Sequence, residues 1–174
     1  MTYIDKLFNL DGKVAVVIGA GGHLCSEMAR GLANAGCAVI LLDANISGAE
    51  DVASKIRDDG GRALALKMDV SQKQNFERCL KKILNEFDRV DVLINGAGIN
   101  APTPFLEITE EEWDHILAVN LKGMLFSCQV FGKHMLEHEG GSIINISSAS
   151  AGPPLSKAFT YSVSKAGIRN LTQN

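Results

Sequence analysis

The chain reads as a doubly wound α/β fold, a parallel sheet in the middle of three α/β/α layers. Three observations predict it. Short runs such as Val14–Ile18, after Lys13, and Ala38–Leu42 are apolar at successive positions, the pattern of strands buried on both faces. Stretches of helical periodicity separate them, and strands joined by helical crossovers lie parallel. The first strand also runs into a glycine-rich turn that opens a helix. At 174 residues the chain is expected to form one domain over 1–174.

The elements follow in order. Lys13–Ile18 is the first strand, and Gly19-Ala20-Gly21-Gly22-His23-Leu24-Cys25 is the turn after it. Met28, Leu32 and Ala35 give a helix over 26–35, closed by Gly36. The second strand, Ala38–Leu42, ends at Asp43. Ser47 and Glu50 form an expected capping box for a helix to about Asp58, stopped by Gly60-Gly61. The third strand, Ala63–Met68, ends at Asp69, and Ser71 with Gln74 is expected to cap a helix to Phe87. Asp91–Ile94 is the fourth strand, ending in Asn95-Gly96-Ala97-Gly98. Thr109 with Glu112 opens a long helix through Ile116, Asn120 and Met124 to Glu137. Ser142–Ser147 is expected to be a fifth buried strand, and the last helix carries Tyr161. The proline-containing stretches 100–107 and 150–160 follow strands, on the sheet edge where doubly wound folds bind ligands.

Composition narrows the function. A net charge of −3 with no basic run points away from nucleic acid and anionic membranes. No apolar stretch approaches the ~20 residues of a membrane span, and residues 1–11 lack the apolar core of a signal peptide. Cys25, Cys37, Cys79 and Cys128 have no C-x-x-C spacing and read as free thiols in a reducing compartment, with the cytoplasm the expected address. No metal is expected. His134 and His138 stand four apart, but no third ligand accompanies them and acidic neighbours suggest a solvated helix end.

A glycine turn between a strand and a helix sets backbone N–H groups and the helix's positive end against phosphate. Gly19, Gly22, His23 and Leu24 are the candidates, with G-x-x-G spacing in place of G-x-G-x-x-G; a plain tight turn is the competing reading. Asp43, 24 residues past Gly19, can accept from a ribose 2′-OH and repel a 2′-phosphate. No Arg or Lys stands in the turn or just after Asp43, so NAD is expected over NADP. Asp69 either flanks the adenine or serves as a carboxylate beside a helix dipole. Asn95, Gly96 and Ala97 offer a small-residue floor for a cofactor, or a sharp turn.

Tyr161 and Lys165, four residues apart, share one helix face. A nearby ammonium favours a phenolate, moving a pKa by about 1–3 units from about 10 towards the range where general acid–base catalysis works. Ser148, thirteen residues before Tyr161, follows a strand that can deliver its hydroxyl to the same place. Asn120, an amide among Ile116, Leu117, Val119, Leu121 and Met124, needs partners if buried.

The order of the glycine turn, Asp43, Asp69-Val70, Asn95-x-Ala97-Gly98, Val119-Asn120-Leu121, Ser148 and Tyr161-x-x-x-Lys165 resembles the short-chain dehydrogenase/reductase family over essentially the whole chain. The resemblance implies a Rossmann-type NAD(P)-binding domain and hydride transfer between a nicotinamide and a secondary alcohol or ketone. It implies that Ser148 holds the substrate oxygen and Tyr161 passes the proton. Lys165 would assist Tyr161 and hold the nicotinamide ribose, and Asn120 would anchor a relay water. Asp69 and Val70 join the cofactor set. The glycine turn and the opening Phe8-Asn9-Leu10-Asp11-Gly12-Lys13 also resemble sugar-acid oxidoreductases of the mannonate/fructuronate and gluconate 5-dehydrogenase sort. Three departures stand out: Ile18 where Thr is common, His23 and Cys25 where glycines are usual, and Gly96 where a second Asn is frequent. Two other readings are a 3-oxoacyl thioester reductase and an idle NAD-binding regulatory or scaffold protein. Family members continue past a Tyr-Lys helix, so the chain is expected to be incomplete at its C-terminus and its parent a homodimer or homotetramer.

Overall fold

A computed structural model describes residues 3–174. Five parallel strands, β1 (Val14–Ile18), β2 (Ala38–Asp43), β3 (Arg62–Lys67), β4 (Val92–Asn95) and β5 (Ser142–Asn145), lie in the order β3-β2-β1-β4-β5. The helices are α1 (Tyr3–Phe8), α2 (His23–Asn34), α3 (Ile46–Asp58), α4 (Lys73–Phe87), α5 (Glu110–Leu117), α6 (Gly123–Glu137) and α7 (Phe159–Thr172). This is the doubly wound sheet that the sequence predicts.

Alternation along β1 divides the core. Val14, Val16 and Ile18 face Phe76 and Ile83 of α4 and Phe131 and Met135 of α6. Ala15 and Val17 face Cys25 and Ala29 of α2 and Ala49, Val52 and Ile56 of α3. Successive side chains of a strand point to opposite faces, so a run that is apolar throughout needs helices on both sides. β1 pairs with β2 on one edge and β4 on the other. The strand order therefore reverses between β1 and β4, and a crevice opens beyond their C-terminal ends.

Several expectations need correction. α3 is capped by Asn45, whose side chain accepts from Gly48 N–H, and not by Ser47. An Asx cap two residues upstream wins because it satisfies the first free N–H groups before Ser47 can. α4 begins after Gln72 with no side-chain cap; Ser71 N–H instead donates to Asp69 Oδ1 (2.9 Å), which spends the turn on Asp69. Thr109 does cap α5, accepting from Glu112 N–H (3.1 Å). α2 starts at His23, three residues earlier than its periodicity suggests. β5 is half exposed, with Ile144 46 % exposed, because it forms one edge of the five-stranded sheet. His134 is buried and stacks on His138 (4.2 Å between ring centres), so of the two histidines only His138 lies at the exposed helix end. Burial, with His138 beside it, pushes the His134 imidazole below its usual pKa.

The long helix is not uniform. Ala118–Lys122, between α5 and α6, is a π turn, with Gly123 N–H bonded back to Ala118 O. Such single turns concentrate at functional sites, and Asn120 sits in the middle of this one.

Candidate active site

The turn after β4 organises the site, because three successive residues in it meet three different parts of the chain. Gly96 N–H donates to Ile18 O (3.0 Å), continuing the β1–β4 ladder past the strand end. Gly19 has φ +82°, and a Cβ there would lie 2.7 Å from Ala97 N. Only glycine tolerates both the left-handed backbone and that approach. A Cβ on Gly98 would lie 3.4 Å from Asn120 Oδ1 and 3.7 Å from Lys165 Nζ. The glycine turn, the π turn and the Tyr161 helix thus converge on Gly96-Ala97-Gly98.

The glycine turn is shaped for an anion. Gly22 precedes α2 without a side-chain cap, and no acidic residue stands in the first helical turn, so the leading N–H groups and the helix's positive end face outward uncompensated. Asp43 is fastened beside it: Oδ2 accepts from Gly21 N–H (2.9 Å) and Oδ1 from Asn45 N–H (2.8 Å). A Cβ on Gly21 would come within 3.1 Å of that carboxylate, so a side chain there would press on Asp43. The backbone cradle and the adjacent carboxylate fit a dinucleotide's phosphates and ribose. His23 and Leu24 are exposed on the first turn of α2.

Asp69 and Val70 lie past β3. Asp69 is exposed; its Oδ1 accepts from Ser71 N–H and its backbone O from Asn75 Nδ2 in the first turn of α4. Val70 is buried against Gly123, whose Cβ would lie 2.9 Å from Val70 O. Asn95 has its amide engaged inward. Its Oδ1 accepts from Ser127 Oγ (2.6 Å) and its Nδ2 donates to Asn145 Oδ1 (2.8 Å). Within the β4 turn, close approach therefore falls to Gly96 and Ala97.

Asn120 is fully buried, and its amide is spent on the protein. Oδ1 accepts from Ile99 N–H (2.8 Å), while Nδ2 donates to Ile99 O (2.9 Å) and Ser164 Oγ (3.0 Å). Ser164 in turn donates to Tyr161 O (2.6 Å). The amide thus clamps the β4 turn to the π turn and to α7. Lys165 is 3 % exposed. Its Nζ donates to Ile146 O (2.7 Å) and lies 5.5 Å from the centre of the Tyr161 ring. Burial pushes its ammonium below the usual lysine pKa, while the Cys25 thiol pulls it the other way. Ser148 starts the turn Ala149–Ala151, against which α7 packs. Its Oγ accepts from Ser150 N–H (3.2 Å) and Ser150 Oγ (3.0 Å).

The whole chain from Lys13 onward, residues 13–174, matches the model of the short chain dehydrogenase family. The chain belongs to that family. Among relatives of the short chain dehydrogenases it is 36 % identical to D-threitol dehydrogenase of Mycolicibacterium smegmatis, over 95 % of this chain and 64 % of that one. It is similar in structure to a putative D-mannonate oxidoreductase from Haemophilus influenzae with bound NAD (TM-score 0.92, 37 % identity, 98 % of this chain and 67 % of that one). A metagenomic short-chain oxidoreductase in complex with NADP is also similar (TM-score 0.90, 32 % identity, 94 % and 75 %). The chain thus spans about two thirds of the length of these relatives.

Sequence reasoning missed Ser150 and Ser164, whose hydroxyls meet Ser148 and Asn120, and Ser147, whose Oγ donates to Lys165 O (2.9 Å). Ser164 lies inside the Tyr-x-x-x-Lys interval, but nothing in a serine's sequence position tells a buried clamp from a surface hydroxyl. Among the described residues no group of three or more His, Cys, Asp or Glu could hold a metal ion, and no helix is long and apolar enough to cross a membrane.

Proposed function

We propose that the full-length protein is an NAD-dependent oxidoreductase interconverting a secondary alcohol and its ketone, with a polyol or sugar acid as substrate. One observation carries the reading: the phosphate-shaped turn at Gly19 and the buried Lys165 ammonium adjoin the same three residues, Gly96–Gly98. A ligand lying along that turn spans both. A bound nicotinamide supplies the hydride acceptor or donor; the chain's own residues do the rest.

Ser148 accepts two hydrogen bonds from Ser150 and keeps its own proton for the substrate oxygen. Tyr161 takes the alcohol's proton on oxidation and returns it on reduction. Lys165, a cation close to the phenol ring, stabilises negative charge left on Tyr161, and in so buried a place that attraction is little screened. It makes one protein hydrogen bond among the described residues, to Ile146 O, leaving donors for a ribose. Asn120 holds the frame; with its amide spent on Ile99 and Ser164, a relay water would be held by backbone in the π turn.

NAD is preferred because Asp43, fixed at the glycine turn, accepts from a ribose 2′-OH and repels a 2′-phosphate. Assembly as a dimer or tetramer is supported by a groove of about 700 Å³ between the π-turn region and α7, lined by Leu117, Leu121, Leu125 and Leu171. A cytoplasmic setting suits four free thiols. The test is NADH formation from alcohols, or NADH consumption by ketones, with the full-length protein across sugar acids, polyols, steroids and 3-oxoacyl thioesters. Activity with a polyol or sugar acid, lowered at least about 100-fold by Tyr161→Phe, supports the reading. Activity confined to thioesters overturns the substrate class, and more than about tenfold NADP preference overturns the cofactor assignment.

A further inference from the structure

Two departures from the family pattern stand face to face. A Cβ built on Gly96 would collide with Cys25 Sγ and would also lie 3.3 Å from Ile18 O and 3.6 Å from Ile146 Cγ1. The backbone does not demand glycine at 96, since it lies outside the positive-φ set that includes Gly19. Of these neighbours the sulfur makes by far the closest approach. Cys25 is itself buried on the first turns of α2, and burial, followed by the Asp43 charge, pushes its thiol up.

We propose that Cys25 and Gly96 are a matched steric pair that sets the spacing of the two turns bordering the crevice, making Cys25 a positioning residue for the dinucleotide. The inference rests on the nucleotide-binding reading above. The thiol on the α2 side fills the volume that a side chain at 96 would occupy. The β4 turn can then close on the glycine turn, where Gly19 already touches Ala97. The same contact reaches further: displacing residue 96 pushes Ile146, whose carbonyl holds Lys165 Nζ at 2.7 Å. A bulkier residue at 96 with Cys25 in place would disturb the phosphate turn and the Lys165 support together.

A double-mutant cycle on the full-length protein tests this, reading NADH affinity by fluorescence titration and melting temperature side by side. Gly96→Ala alone should weaken NADH by at least about tenfold and lower the melting temperature. Cys25→Ala alone empties the space beside Gly96 and should weaken NADH by more than about threefold; wild-type affinity in that variant overturns the positioning role. The double variant should return to within about threefold, with most of the melting temperature recovered. If Gly96→Ala does not fold, rescue of folding and binding by Cys25→Ala supports the pair equally. Wild-type affinity in Gly96→Ala, or no rescue in the double variant, overturns the pair while leaving the cofactor reading intact. A wild-type protein that binds neither NADH nor NADPH overturns the cofactor reading and the positioning role with it.

Discussion

Gly19→Ala is the sharpest perturbation of the glycine turn. Two costs can be separated. At φ +82° an alanine pays about 1–2 kcal/mol for the left-handed backbone. Its Cβ would then stand 2.7 Å from Ala97 N and 2.8 Å from Ala97 Cα, backbone atoms that cannot rotate away. Overpacking of that kind costs about 1–3 kcal/mol. The sum is about 3 kcal/mol, or about 6–12 °C in melting temperature for a domain of this size. Gly60→Ala is the control, because Gly60 has φ +87° but nothing within 4 Å of an added Cβ. It should lose only the backbone part, about 1–2 kcal/mol, and leave NADH binding unchanged. Thermal melting and NADH titration of the two variants together isolate the contact. If Gly19→Ala melts with Gly60→Ala and binds NADH like wild type, the convergence of the two turns on the cofactor is refuted.

Asn120→Ala strands Ile99 N–H, Ile99 O and Ser164 Oγ in the interior. It should destabilise by about 3 kcal/mol in thermal melting; a loss under about 1 kcal/mol would contradict the clamp. Asp43→Asn removes the charge and, because its NH2 cannot accept, keeps only one of the two bonds from Gly21 and Asn45 N–H, so the NADH-to-NADPH affinity ratio should fall about tenfold or more; an unchanged ratio means that Asp43 does not read the ribose. Asp91 receives Arg89, Lys13 and Val14 N–H. Burial pushes its carboxyl up, but those hydrogen bonds and the Arg89 charge outweigh it and leave the group below the usual carboxylate range. A carboxyl depressed in the folded state stabilises above its unfolded pKa, and the contribution disappears as pH falls through the folded value. Asp91→Asn should therefore melt lower at pH 7 by about 1–2 kcal/mol, and the gap should begin to narrow below about pH 4 and vanish only below the depressed folded value; a gap independent of pH would contradict the ion pair.

What the sequence made legible were features fixed by local chemistry. β1 and β2 could be read because strands covered on both faces leave no polar position, and Thr109 because a hydroxyl before three glutamates has one sensible helical use. Ser47 misled because Asn45, two residues ahead, reaches the free N–H of Gly48 first; Ser71 misled because it lies in a turn where its own N–H is bonded to Asp69, and α4 starts beyond it with no side-chain cap. β5 looked buried from its isoleucines, but burial depends on what lies beside the strand, and β5 is a sheet edge. The π turn was invisible: Ala118–Lys122 has ordinary helix formers, and the close neighbours of this stretch, Val70 against Gly123 and Gly167 against Leu121, lie far off in the sequence. Asn120 could be picked out as a buried amide needing partners, whereas its partners, Ile99 and Ser164, come from distant parts of the chain. Gly96 and Cys25 registered as two separate departures, and only their contact in space relates them.

Hydride transfer at the crevice can be followed directly with NADH deuterated at the transferring C4 position and a panel of ketones, reading deuterium at the product carbinol carbon by mass spectrometry. The account predicts label in the product with the full-length protein. For Tyr161→Phe it predicts label transfer at least about 100-fold slower, with NADH binding retained within about threefold. No transfer to any ketone, or equal transfer by Tyr161→Phe, would contradict it.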